Sequence, residues 1–232
     1  MPAPLRVTID ASPAEVPLAL ADLHRSLEVG RTVRIERTIP DDPLAPPWGA
    51  LVRGGGFVAT RTRSVYRREH SLPDYIAASM RVLLVGLNPS PYSADVGVGF
   101  ARPGNRFWPA MLAAGMVEHA REPRRMLVEQ HIGMTDLVKR ATARADELDD
   151  DEFRQGHRRV TALVTWLQPA VVCFVGLGGW RVAADRRAVA GRQQPIGSSI
   201  VYVMPNPSGL NAHATVDSLA EHFREVRRLA GG

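Results

Sequence analysis

Three short runs constrain this chain more than anything else in it. RVLLVG (81–86), AVVCFVG (170–176) and SIVYVMP (199–205) are apolar and β-branched at nearly every position. Half-buried strands alternate polar and apolar residues, whereas strands covered on both faces do not. Helix-like segments lie between and after the runs. NRFWPAMLAAGM (105–116) reads as a helix with Pro109 in its first turn. DDDEFRQGHRRVTALVTWLQP (149–169) reads as a helix with an acidic first turn, closed by Pro169. TVDSLAEHFREVRRLAGG (215–232) reads as an amphipathic helix capped by Thr215. Buried strands alternating with helices imply an α/β fold, a three-layer αβα sandwich around a mostly parallel central sheet. Ligands of such sheets sit beyond the carboxyl ends of the strands, which directs attention to the loops after Gly86 and Met204.

Residues 1–72 read differently. EVPLALADLHRSLEVG predicts a helix with Leu20, Leu23 and Leu27 on one face and Gly30 at its stop. TVRIER (32–37) and FVATRTRSVY (57–66) alternate like strands, and IPDDPLAPPWG (39–49) reads as a loop. This is a small N-terminal α+β appendage. It loosely resembles the C-terminal end of a class I methyltransferase fold, but no GxGxxG loop follows a strand, so S-adenosylmethionine binding is not expected. Both candidate loops and all three runs lie beyond residue 72, so 73–232 is expected to fold and act without it.

Composition excludes several classes. The single cysteine, Cys173, rules out an intramolecular disulfide and any cluster or finger needing four cysteines. No apolar run approaches the length of a membrane span, and the N-terminus has no apolar leader core, so the expectation is a cytoplasmic, nucleoid-associated monomer with no membrane contact. Of the 29 Lys and Arg, only Lys139 is a lysine; beyond residue 80 there are 19 basic and 15 acidic groups. The modest cationic excess, carried by guanidinium forks that suit phosphate, is compatible with nucleic acid.

The two loops carry the chemistry. GLNPSPYSADVGVGFARPGNRFW (86–108) is long for a compact domain, and MPNPSGLNAH (204–213) repeats its Asn-Pro-Ser. Gly86-Leu87-Asn88-Pro89-Ser90, Phe100-Ala101-Arg102-Pro103-Gly104-Asn105-Arg106-Phe107-Trp108 and Asn206-Pro207-Ser208-Gly209-Leu210, with GMTDLVKRAT (133–142) between them, are the motifs of a known family. From about residue 73 to 230 the chain resembles the mismatch-specific uracil-DNA glycosylases, the MUG/TDG branch of the uracil-DNA glycosylase superfamily.

The resemblance implies a monofunctional DNA glycosylase that flips uracil, or a related damaged base, out of G·U-type mispairs in double-stranded DNA and leaves an abasic site, without cofactor or metal. It places Asn88 as the residue that orients the attacking water, with Asn206 at the matching position of the second motif. An amide can position a water but is a negligible base. Backbone amides near Leu87 and Phe100 would stabilise the departing base, Phe100 would stack on it, and Ser93 would lie where a C5 methyl points. Asn105, Arg106, Ser208, Gly209, Leu210, Asn211 and His213 would face DNA, with Leu210 wedging into the stack. Two departures bear on activity. Ser90-Pro91 stands where the family has glycine, and Ala212 stands where relatives carry arginine. The alternative is a weak or inactive damage-binding protein of the same fold. His213 as a metal ligand is not expected, since no second ligand stands at a suitable spacing.

Overall fold

The computed structural model describes residues 3–38 and 42–231. The first elements are β1 (Leu5–Ile9), α1 (Val16–Ser26), β2 (Thr32–Arg37), α2 (Trp48–Gly54), β3 (Phe57–Ala59) and β4 (Val65–Arg68). They make a four-stranded sheet in the order β1-β2-β4-β3. The alternation over 57–66 is not one strand. Ser64 takes φ +59°, and Thr60 Oγ1 donates to the Val65 carbonyl at 2.9 Å, so the run folds back as a hairpin. Helix α1 stops at Ser26, with Leu27 already extended; Gly30, at φ +81°, makes the turn into β2 instead of ending the helix. Of the loop expected at 39–49, residues 39–41 lie outside the described residues, and 48–49 open α2.

The remaining elements are β5 (Val82–Gly86), α3 (Pro91–Val96), α4 (Phe107–Ala113), α5 (Pro123–Gln130), β6 (Ile132–Asp136), α6 (Asp150–Leu167), β7 (Val171–Val175), α7 (Leu177–Ala183), β8 (Gly191–Arg192), β9 (Ile200–Met204) and α8 (Val216–Leu229). The second sheet runs β6-β5-β7-β9-β8; its first four strands are parallel and β8 is an antiparallel edge. The three apolar runs are β5, β7 and β9, and β6, which overlaps the start of the GMTDLVKRAT segment, is a parallel strand that its polar residues concealed. Helices α4 and α8 cover one face over Phe107, Met111, Leu219 and Phe223. Helices α6 and α7 cover the other over Phe153, Val160, Leu163 and Trp180, completing the three layers. Asp149 caps α6 and Thr215 caps α8, each accepting a backbone N–H of the first turn (2.8 and 3.1 Å).

The α6 layer does not end with the large sheet. Leu20, Val33, Leu51 and Phe57 of the N-terminal region share one apolar cluster with Leu83, Val85, Leu137 and Val164. A buried ionic knot lies on the same seam. Asp74 takes Lys139 Nζ at 2.8 Å, Arg159 Nη1 at 2.7 Å and Thr135 Oγ1 at 2.5 Å. Burial opposes its charge, but the two cations keep its carboxyl below the usual range. Gly54 of α2 abuts this carboxylate, leaving no room there for a Cβ. No helix among the described residues is long and apolar enough to cross a membrane.

Candidate active site

The first loop is fixed before its chemistry begins. Past the strand ends, the Leu137 N–H donates to Gly86 O (2.8 Å) and the Val138 N–H to Leu87 O (2.9 Å), so the β5–β6 pairing continues into the loop. Ser90 then caps α3, its hydroxyl accepting the Ser93 N–H at 3.1 Å, with Pro91 at the first helical position. The Ser90-Pro91 departure is thus a helix start. Ser93 is 3% exposed. Its Oγ accepts the Ala101 N–H (3.3 Å) and the Ser90 hydroxyl (3.1 Å).

Asn88 is held by its amide nitrogen. Nδ2 donates to Thr142 Oγ1 (2.8 Å) and to the carbonyls of Arg140 (3.0 Å) and Pro89 (3.2 Å). A carbonyl can only accept, so these partners determine which way the amide points. No hydrogen bond to Asn88 Oδ1 occurs among the described residues, and Asn88 lines a cavity of about 160 Å³. An acceptor oriented from behind, on the wall of a small polar cavity, is suited to hold a water.

Phe100 forms another part of that wall. It sits at φ +57°, a left-handed conformation that a bulky residue rarely takes. Its ring stacks on Phe107 at 4.0 Å and 8°, and Phe107 is fully buried edge-on to Phe223. Trp108 Nε1 donates to the carbonyl of Gly99 (2.9 Å), fixing the peptide before Phe100. Gly86 lets the ring approach: a Cβ there would lie 3.1 Å from Phe100 Cζ.

The second loop is a chain of short turns. Asn206 Oδ1 accepts the Ser208 N–H (2.9 Å), Asn211 Nδ2 donates to Asn206 O (2.9 Å), and Ser208 Oγ accepts the Leu210 N–H (3.3 Å). Arg106 braces it, donating Nη1 to the carbonyls of Ser208 and Asn211 (both 3.1 Å) and its own N–H to Pro207 O (2.9 Å). A Cβ at Gly209 would lie 2.8 Å from the Gly104 carbonyl, so the two loops touch there. Leu210 stands at the tip, 87% exposed. His213 is exposed beside it.

The cavity gathers Leu87, Asn88, Ser93, Phe100, Asn105, Asn206 and Ser208 from the residues singled out by sequence. Arg106 lies behind it as a brace, and Asn105 Oδ1 accepts the Phe107 N–H at 2.9 Å while also facing the cavity. Gly209, Leu210, Asn211 and His213 lie outside its lining, on the exposed loop.

Several cavity residues were not singled out, among them Leu72, Arg102, Thr142, Arg144 and Asp136. Asp136 ends β6 directly opposite Gly86 in the ladder, and a Cβ on Gly86 would collide with its Oδ1. Burial pushes its carboxyl up to about 6, although Lys139 Nζ lies 3.9 Å from Oδ2 and pulls the other way. The signal available in the sequence was position: the carboxyl end of a parallel strand. A larger cleft, about 630 Å³ between α1, α3 and α5, is lined by Arg124 and by the Arg125–Glu129 ion pair and touches neither motif's asparagine. Among the described residues no group of three His, Cys, Asp or Glu side chains could hold a metal ion.

The family model of the uracil DNA glycosylase superfamily matches residues 73–229, more than half of the chain. The chain is also similar to the solution NMR structure of a candidate uracil DNA glycosylase from Methanosarcina acetivorans. Identity is 21%, coverage is 68% of this chain and 97% of that one, and the TM-score is 0.48.

Proposed function

The chain belongs to the uracil DNA glycosylase superfamily, and we propose that it is a mismatch-specific, monofunctional member of the MUG/TDG type, removing uracil from G·U mispairs in duplex DNA. The observation that carries this reading is the Asn88 amide, whose nitrogen is tied to three acceptors while its oxygen has no partner among the described residues, on a residue that lines the same cavity as Phe100 and Asn206.

The steps follow from the residues. Flipping the nucleotide costs a few kcal/mol, and Leu210 offsets part of this by filling the vacated stack. The extruded base enters between Asn206 and the free face of Phe100, where aromatic stacking contributes roughly 1–3 kcal/mol. Asn88 Oδ1 orients a water toward the sugar carbon as the N-glycosidic bond breaks. The electron pair of that bond leaves with the base, which departs as an anion; the water oxygen bonds to the sugar carbon and its released proton ends on the freed base. Backbone N–H groups near Leu87 and Phe100, and Asp136 in its neutral form, donate to it. Lys139, the only lysine, is buried against Asp74 and is not offered to the sugar as a nucleophile. An abasic site with an intact strand is the product. Residues 73–232 carry this chemistry as a monomer, and residues 1–72 buttress the α6 side of it.

The test is single-turnover incubation with G·U, A·U and undamaged duplexes, scoring free uracil and strand breaks separately. Uracil release that is fastest from G·U, with nicking only after alkali, is expected. Tight binding to G·U without base release would favour the damage-binding alternative.

A further inference from the structure

The N-terminal sheet carries charge that the glycosylase site does not use. Between Asp42 and Glu69 the chain has Arg53, Arg61, Arg63, Arg67 and Arg68 and no acidic residue. On β1 and β2 the residues Val7, Ile9, Val33 and Ile35 pack inward, which turns Arg6 and Arg34 to the other face. Parallel pairing sets Arg6 directly beside Arg34. Like charges placed side by side on adjacent strands destabilise a sheet. Arg34 then reaches the hairpin tip, donating Nη1 to the Arg63 carbonyl at 3.2 Å, and Arg61 and Arg63 are exposed at that tip. Among the described residues no carboxylate lies within ion-pair distance of Arg6, Arg34, Arg61 or Arg63. Other surface arginines do have a carboxylate partner, as in Arg67–Glu69, Arg140–Glu152, Arg154–Asp150 and Arg228–Glu225.

The patch is tied to the active site by the chain itself. Strand β4 leaves the hairpin and runs directly into residues 69–72; His70 pairs with Asp95 of α3 at 2.7 Å, and Leu72 lines the cavity. Nine residues separate Arg63 from Leu72, a reach of at most about 30 Å. A duplex rising 3.4 Å per base pair covers that span in roughly nine pairs.

We propose that Arg6, Arg34, Arg61 and Arg63 form a phosphate-contacting surface that holds the duplex flanking the lesion, extending the footprint of the site beyond its two loops. This rests on the reading of the chain as acting on DNA. Guanidinium groups without a carboxylate partner keep donors available for phosphate oxygens, Arg34 committing only its Nη1 to a carbonyl, and the repulsion of Arg6 by Arg34 is relieved when an anion lies between them. The surface carries no base-reading geometry, so it adds affinity and not sequence preference.

The experiment uses the full chain and its Arg61→Glu/Arg63→Glu variant. Equilibrium binding is measured across a salt series, on undamaged duplexes of several helical turns and of a single turn. On the long duplex the variant is expected to bind about tenfold more weakly, with a log K against log salt slope shallower by about two. On the short duplex, which barely spans from patch to cavity, the loss should be smaller, and single-turnover uracil release at saturating protein should match the wild type. Arg61→Gln/Arg63→Gln should lower the slope by the same amount, which separates lost contacts from added repulsion. An unchanged slope on the long duplex overturns the proposal. Wild-type protein that binds long duplexes through these arginines yet frees no uracil would sink the glycosylase reading and leave the surface standing. Uracil release with an unaltered slope in both variants does the reverse.

Discussion

The two loops that meet at the cavity are built in opposite ways. In the first, the side chains face inward and are tied down: Asn88 by three acceptors, Ser93 by two donors, Phe100 against a buried aromatic. In the second, the backbone is tied down by Arg106, Asn206 and Asn211 while the side chain that matters, Leu210, is left in solvent. A group that must position a water within a fraction of an ångström needs its rotamer fixed beforehand. A wedge needs only a stiff loop, because its burial partner arrives with the DNA. The difference teaches that exposure of an apolar residue and burial of a polar one are both signs of function here, and each was placed by bonds made elsewhere.

Breaking the first loop should have the largest effect. Asn88→Ala removes the acceptor and leaves the Arg140 and Pro89 carbonyls without their donor. Single-turnover uracil release is expected to fall by about 10³-fold, within the range for a lost catalytic positioning group, with duplex affinity nearly intact. Retention of more than a tenth of the rate would show that Asn88 is only a turn former.

The next effect depends on pH. Asp136 has its carboxyl raised to about 6, so it is neutral below that pH and ionised above it. The neutral form donates to a departing base, whereas the carboxylate repels the anion. Release should therefore decline as pH rises through about 6. If only the neutral form acts, at pH 8 the rate would be down by roughly 100-fold, since each pH unit beyond the pKa is tenfold. Asp136→Asn, which donates at every pH, should flatten the profile and exceed the wild type at pH 8. A wild-type rate that is flat from pH 5 to 8 would remove Asp136 from the reaction.

What was legible in the sequence follows the same division. β5, β7 and β9 could be read because strands covered on both faces must be apolar throughout. β6 could not, because its Gly133 makes room for Met80 and the Tyr75 carbonyl, and its Thr135 is paid for by Asp74 and Arg159. Those partners lie far away in the chain, where no local pattern reports them. Asn88, Phe100 and Asn206 were legible because each sits in a compact motif beside the strand that presents it. Asp136 entered the site through the register of a strand pairing between residues fifty apart in the chain, Gly86 against Asp136. The expectation that residues 73–232 stand alone came from motif position, which carries no information about the Leu20 and Phe57 contacts on the α6 side.

The second loop gives a smaller, substrate-dependent effect. Leu210→Ala takes away most of an apolar side chain that would be buried in the stack, worth about 2 kcal/mol or roughly 30-fold. The loss should be full on a well-paired A·U duplex and slight on single-stranded uracil, where no stack needs filling. An equal loss on both would make Leu210 a packing residue, against its 87% exposure.

The smallest effect concerns which pyrimidine is accepted. By family resemblance Ser93 lies where a C5 methyl would point, and the structure gives that serine a second task. Its Oγ accepts the buried Ala101 N–H and stands between that peptide and Ser90. Uracil should therefore be preferred over thymine opposite guanine, because a methyl in a fitted pocket meets a group that cannot move aside. A misfit of one methyl corresponds to about 1–3 kcal/mol. Ser93→Ala relieves the crowding but leaves the Ala101 N–H without an acceptor, which costs about 1 kcal/mol or more of stability. The two consequences separate in experiment. The ratio of single-turnover rates on G·T and G·U should rise about tenfold in Ser93→Ala, while the melting temperature drops and the G·U rate itself changes little. A lower melting temperature with an unchanged ratio would leave Ser93 as a brace of the first loop and take it out of base selection.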